Sequence, residues 1–147
     1  MSSTETLRII QVGLGGWGRD WFRRRLKPET WIDVVAHVDQ SADALTLAQS
    51  DAGVPADRCF TSLDEALAAT EAEAVLVTAS LPGHVPASSE ALAAGKHVLM
   101  EKPFAPSVAD ARALARQARE AGRLLMISQN YRYFPAPQRA AQIVADG

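Results

Sequence analysis

The chain has 147 residues, 48% of them hydrophobic and 22% charged, which fits one globular domain and excludes a disordered polypeptide. Lys and Arg number 15 against 17 Asp and Glu, a formal charge of -2, so no basic excess is available to displace the counterions of a nucleic acid. A single cysteine, Cys59, excludes an internal disulfide and a thiolate metal cluster, no apolar run reaches the length of a membrane span, and Met1 to Thr6 lack the basic-then-apolar order of a secretory leader, so the expectation is a soluble cytoplasmic protein.

Leu7 to Val12 is the first predicted strand, and it runs directly into Gly13-Leu14-Gly15-Gly16-Trp17-Gly18. This is a G-x-G-x-x-G turn with a strand before it and a helical pattern after it, the context of a dinucleotide-binding loop. Gly13 permits the tight turn, Gly15 lets a pyrophosphate approach the backbone, and Gly18 lets the helix pack closely on the sheet. The helix N-terminus then faces the phosphates with free N–H groups and the positive end of its dipole. Arg19, Arg23, Arg24, Arg25 and Lys27 on that helix form a solvated basic face. Trp17 and Trp21, one helical turn apart, are expected to be packing residues, with Trp17 close enough to the loop to touch a cofactor.

Trp31 to Val38 is the second strand, and Asp39 stands at its end, about 20 residues beyond the loop, where a ribose-binding acid is expected. A carboxylate there accepts the adenosine ribose hydroxyls and repels a 2′-phosphate. Gln40 and Ser41 bring no compensating positive charge, so NAD is favoured over NADP. Asp39 is equally placed to cap the helix expected over Ser41 to Ala52. Cys59-Phe60 is a very short third strand, and Ser62 with Glu65 has capping-box spacing. Ala74 to Thr78, His97 to Glu101 and Leu124 to Ser128 complete the strands. Between them lie a helix stopping at Gly95 and another from Ser107 and Asp110 to Gly122. A last helical pattern covers Pro137 to Asp146.

Continuous apolar strands alternating with helices predict an α/β fold, a Rossmann-type doubly wound parallel sheet in three layers. Residues 1–134 are assigned to this dinucleotide-binding domain.

The stretch Ala94-Gly95-Lys96-His97-Val98-Leu99-Met100-Glu101-Lys102-Pro103 is more specific than the glycines. It resembles the A-G-K-H-V-x-x-E-K-P signature of the Gfo/Idh/MocA oxidoreductases. The resemblance extends over nearly the whole chain, through the glycine loop, Asp39, His84, this signature and Asn130-Tyr131-Arg132. Members of that family are NAD(P)-dependent dehydrogenases and reductases acting mainly on sugars, cyclitols and related polyols. The resemblance implies that Lys102 is a catalytic-type lysine beside the nicotinamide, in hydrogen-bond reach of a substrate hydroxyl or carbonyl. It also implies a cis Lys102–Pro103 peptide that fixes the direction of the lysine. Residue chemistry alone leaves Lys102 equally able to extend into water from a strand end.

Glu101 is expected on the cofactor side or holding the turn, and His97 packed within its strand. Asn130 and Arg132 are implied to run beside the nicotinamide and substrate, although Arg132 could instead anchor a neighbouring domain. One departure is plain. The family carries a Thr-Pro pair upstream of its histidine, whereas Ala79-Ser80 stands there in this chain and proline follows at Pro82. Ser80, Leu81 and His84 are still expected to line the cofactor groove, with helix capping the alternative for His84.

The resembling enzymes have a second domain that shapes the sugar pocket, and residues 135–147 form a helix leading toward it. On this reading the chain is a fragment, with a natural one-domain dinucleotide binder as the alternative, and a homo-oligomer would form only through the missing domain. The expected function is hydride transfer between a nicotinamide cofactor and a sugar, cyclitol or polyol. The alternative is a non-catalytic NAD-binding sensor or regulatory module, and Lys102 argues for the enzyme. No nucleic acid, membrane or metal enters the expectation. A methyltransferase would share the glycine loop but has no use for the Glu101-Lys102-Pro103 segment.

Overall fold

The computed structural model describes residues 6–147. The leader reading at Met1 to Thr6 falls almost wholly outside those residues. Six parallel strands form one sheet in the order β3-β2-β1-β4-β5-β6. They are β1 (Leu7–Val12), β2 (Ile32–Val38), β3 (Cys59–Phe60), β4 (Ala74–Val77), β5 (His97–Met100) and β6 (Leu125–Ile127). The chain winds outward from β1 in one direction to β3 and in the other to β6, so the order reverses between β1 and β4. The crevice at such a switch point, beyond the carboxyl ends of the strands, is where ligands bind in open α/β sheets.

Side chains alternate across β1 and so feed two separate cores. Ile10 and Val12 join Ala36, Val38, Val75, Val77, Val98 and Met100 under α3 (Leu63–Ala69), α4 (Leu81–Ala93) and α5 (Val108–Glu120). Ile9 joins Val34 and Leu76 under α1 (Gly16–Trp21) and α2 (Ala42–Leu47). Both helices of this second layer end in a π-helical turn, Phe22–Leu26 after α1 and Ala48–Ala52 after α2. These turns bury Phe22, Leu26, Ala48 and Ala52 against the sheet. The regular helix predicted over Ser41 to Ala52 is therefore an α-helix for its first half only.

The strand ends are shorter than the apolar runs suggest. Trp31 precedes β2 and is 50% exposed. Thr78 lies beyond β4, yet its N–H still donates to Val12 at 2.7 Å. Ser107 caps α5 as expected, its Oγ accepting from the Asp110 N–H at 3.1 Å. Ser62 is the N-cap of α3 by position only, since its hydroxyl makes no cap hydrogen bond. α6 (Pro135–Asp146) starts before the predicted Pro137 and buries no residue.

Candidate functional site: a two-bay groove over the glycine turn

The glycine turn is held from below by two polar side chains that the sequence reading did not single out. Gln11 is fully buried and donates from Nε2 to the carbonyl of Gly18 at 2.7 Å. The Thr78 hydroxyl donates to the Gly13 carbonyl at 2.7 Å. Gly13 adopts φ +93°, and a Cβ there would overlap the backbone of Ala79. A Cβ on Gly18 would overlap the Gly13 carbonyl itself. These glycines answer to backbone geometry. Gly15 and Gly16 differ, because a Cβ on either would meet open space. No side chain therefore stands between the turn and the groove above it, which is the cradle a pyrophosphate requires.

Leu14 is placed otherwise than expected. Its side chain is fully buried in the core under α1, and its backbone takes part instead, the N–H donating to Asp39 Oδ2 at 2.7 Å and the carbonyl accepting from Arg19 Nη1 at 3.0 Å. The other oxygen of Asp39 accepts from the Ser41 N–H at 2.9 Å. The cap of α2 is Ser41, whose Oγ accepts from the Ala44 N–H at 3.2 Å. Asp39 is thus a clamp between the loop and the β2 end, and each of its oxygens keeps a lone pair for a further donor.

A groove of about 710 Å³ opens beside Asp39. Gly13, Gly15 and Ser80 border it on one side, and Ser62, Leu63 and the Pro82–Ala87 face of α4 on the other. Asp64 and Glu90 also line it, and among the described residues no lysine or arginine does. Burial, reinforced by the charge of Asp64, pushes the Glu90 carboxyl up. The hydroxyl of Ser62 pulls the exposed Asp64 carboxyl down. Three acids and no base make this bay hostile to an added phosphate.

A second bay of about 340 Å³ shares Gly15 and Thr78 to Ser80 with the first and continues to Trp17, Glu101 and Lys102. Trp17, in the first turn of α1, lines this bay and is 57% exposed, so it is not the packing residue expected. Lys102 is exposed. Glu101 is buried, with Oε1 accepting from the Trp21 indole at 2.9 Å and Oε2 from the Lys102 N–H at 3.1 Å. The Lys102–Pro103 peptide is cis, as the resemblance implied.

Several expected groove residues stand elsewhere. His84 is buried, with Nδ1 2.8 Å from the Pro103 carbonyl and Nε2 3.0 Å from that of Ala79. It ties the Lys102–Pro103 turn to the Ala79–Ser80 turn from behind and neither lines the groove nor caps α4. Leu81 is half-buried at the start of α4 and borders neither bay. Asn130 and Arg132 lie in an exposed 3-10 turn (Asn130–Tyr133) after β6, also outside both bays. Arg23, Arg24, Arg25 and Lys27 form a solvated face, with Arg24 paired to Asp20 at 2.7 Å, whereas Arg19 is largely covered, paired to Asp51 at 3.2 Å.

A parallel sheet in this order, with a glycine turn after β1 and a carboxylate after β2, defines a Rossmann-type dinucleotide-binding domain. Residues 7–129 match the model of the GFO_IDH_MocA oxidoreductase family, NAD-binding Rossmann fold, and the chain belongs to that family. It is 32% identical over 143 residues to inositol 2-dehydrogenase 3 of Saccharopolyspora erythraea, covering 97% of this chain and 41% of that protein. It is 29% identical over 151 residues to D-apiose dehydrogenase of Paraburkholderia graminis, covering 99% of this chain and 39% of that one. Among solved structures it is similar to GenD2 from gentamicin A biosynthesis in complex with NAD. That match has 34% identity and a TM-score of 0.82, and covers 97% of this chain and 40% of GenD2. The chain thus spans about two fifths of the length of these relatives.

Proposed function

We propose that the chain is the cofactor-binding portion of an oxidoreductase that moves hydride between NAD and a sugar, cyclitol or related polyol. The carrying observation is that two bays share Gly15 and Thr78 to Ser80, one lined by Asp39, Asp64 and Glu90 and the other by Lys102. On this reading the larger bay takes the adenosine, with Asp39 accepting its ribose hydroxyls. The shared floor takes the pyrophosphate on backbone N–H groups, and the smaller bay takes the nicotinamide beside Trp17. NAD, when bound, supplies the hydride acceptor. Lys102 hydrogen-bonds the substrate oxygen and holds or accepts its proton, a role that contributes about 10²–10⁴-fold. Glu101 holds the Lys102 backbone. Asn130 and Arg132, in the exposed turn after β6 and outside both bays, offer donors to a substrate that extends beyond the smaller bay.

Residues 1–134 form the dinucleotide-binding domain on this reading. Residues 135–147 lead toward a substrate-shaping region, as the greater length of the relatives supports. The protein is soluble and cytoplasmic, and any homo-oligomer forms through that further region. Among the described residues no helix is long and apolar enough to cross a membrane.

Titration with NADH and with NADPH, followed by nicotinamide fluorescence, tests the cofactor assignment. NADH is expected to bind at least about tenfold tighter, because the 2′-phosphate would meet Asp39 and the other acids. Equal or tighter NADPH binding overturns the preference, and binding of neither nucleotide overturns the proposal. Lys102→Ala is expected to leave NADH affinity within about twofold and to lower polyol or sugar turnover by about 10²–10⁴. Full turnover in that variant removes Lys102 from the chemistry.

A further inference from the structure

Trp21 ends α1, the helix that begins on the glycine turn. Its ring is half-buried against the core under that helix. Its indole N–H reaches across to the residue that follows β5 and donates to Glu101 Oε1 at 2.9 Å. The second oxygen of the same carboxylate accepts the N–H of Lys102 at 3.1 Å. Glu101 is 5% exposed, so little water is at hand to replace a lost donor. The two residues are 80 positions apart in sequence, and no ion pair joins Glu101 to the Lys102 ammonium among the described residues.

We propose that Trp21 is a positioning residue for Lys102, its indole N–H fixing the Glu101 carboxylate that in turn fixes the lysine backbone beside the smaller bay. The inference rests on the reading of Lys102 given above. A buried carboxylate that loses one donor turns to find another, and Lys102, which lines the same bay, carries an ammonium on a flexible stem that can supply it. An ion pair there would withdraw the ammonium from a substrate oxygen. The indole N–H prevents this by occupying Oε1. Because α1 starts at the phosphate turn, the same helix joins the loop that holds the cofactor to the strand end that carries the lysine.

Two substitutions separate hydrogen bonding from packing. Trp21→Phe keeps an aromatic ring and removes the donor. Trp21→His keeps a donor in the same place, because histidine Nε2 occupies the ring position of indole Nε1, and removes the larger ring. Both are made in the protein at its native length, with two readouts. The first is the kcat and KM of polyol or sugar oxidation, and the second is hydrogen exchange of the Lys102 backbone amide by NMR.

Trp21→Phe is expected to lower kcat about tenfold, as for loss of one hydrogen bond to a charged group, with KM for NAD within about twofold. It is also expected to speed exchange of the Lys102 amide at least about tenfold. Trp21→His is expected to stay near wild type in both. Wild-type behaviour of Trp21→Phe, or equal loss in both variants, assigns Trp21 to packing and overturns the proposal. If Lys102→Ala retains full turnover, the reading of Lys102 fails, and the amide readout still judges the Trp21–Glu101–Lys102 chain by itself.

Discussion

Gly15 and Gly18 sit three positions apart in one turn and answer to different demands. A methyl group on Gly18 has nowhere to go but the Gly13 carbonyl. Gly18→Ala is therefore expected to destabilise the fold by about 1–3 kcal/mol, read as a fall in the urea midpoint. A methyl group on Gly15 meets only the groove. Gly15→Ala is expected to leave stability within about 0.5 kcal/mol and to weaken NADH binding at least about tenfold, read by fluorescence titration. Undiminished affinity in Gly15→Ala would place the phosphates elsewhere. These glycines were legible in the sequence because their constraint is local, a turn between a strand and a helix. Gln11 and Thr78 were not, since their contact joins residues 67 positions apart and arises only when β1 pairs with β4. A signal was present in hindsight, as Gln11 interrupts the apolar run Ile9 to Val12 just before the turn. The three acids of the larger bay divide the same way, with Asp39 readable from its spacing and Asp64 and Glu90 visible only once α3 and α4 stand across the groove.

At the scale of elements, equal spacing in the sequence produced unequal caps. Ser62 precedes Glu65 as Ser107 precedes Asp110, by three positions in each case. Only Ser107 accepts a hydrogen bond from its helix, at 3.1 Å from the Asp110 N–H. The Ser62 hydroxyl instead lies on the wall of the larger bay. Ser107→Ala is expected to cost about 1 kcal/mol, the usual value of a lost N-cap, measured by urea unfolding. Ser62→Ala is expected to cost less than about 0.5 kcal/mol by the same measurement. A loss at Ser62 as large as that at Ser107 would contradict the cap assignment. The order of strands and helices was otherwise legible throughout, because each apolar run is short and each helix carries its own stop signals. What the pattern missed lies at element ends. Both helices of the α1/α2 layer widen into π-helical turns that bury large or small apolar side chains against the sheet, a tertiary requirement that helical periodicity does not carry. The exposed placement of Asn130 and Arg132 is of the same kind, since a position after a strand end does not say how far the following turn swings from the crevice.

At the scale of the whole molecule, both cores take in buried polar side chains. From α4 the Ser88 hydroxyl donates to Met100 Sδ at 3.2 Å, whereas the sheet face under α1 and α2 carries Gln11 and His37, which are opposite each other on β1 and β2. His37 is fully buried, and Phe22 meets it edge to face at 4.6 Å between ring centroids. Neither of its ring nitrogens meets a hydrogen-bond partner among the described residues. Burial first, and then the positive charge of Arg58, push its pKa down from 6.5 to about 4. The folded protein therefore holds His37 neutral through a range in which the unfolded chain takes up a proton. The unfolded state binds more protons between these two values, so stability rises with pH across that window. The contribution is complete above about pH 6.5 and is lost as pH falls toward about 4. Between pH 7.5 and pH 5 it amounts to about 2 kcal/mol. His37→Phe preserves an aromatic ring against Phe22 and removes the proton site. The difference in unfolding free energy between that variant and the wild type is expected to widen by about this amount from pH 7.5 to pH 5, with the variant gaining. A constant difference across that range would mean that His37 is reached by water or protonated in the folded state, and the buried edge of the α1/α2 layer would have to be more open than the packing of Phe22 allows.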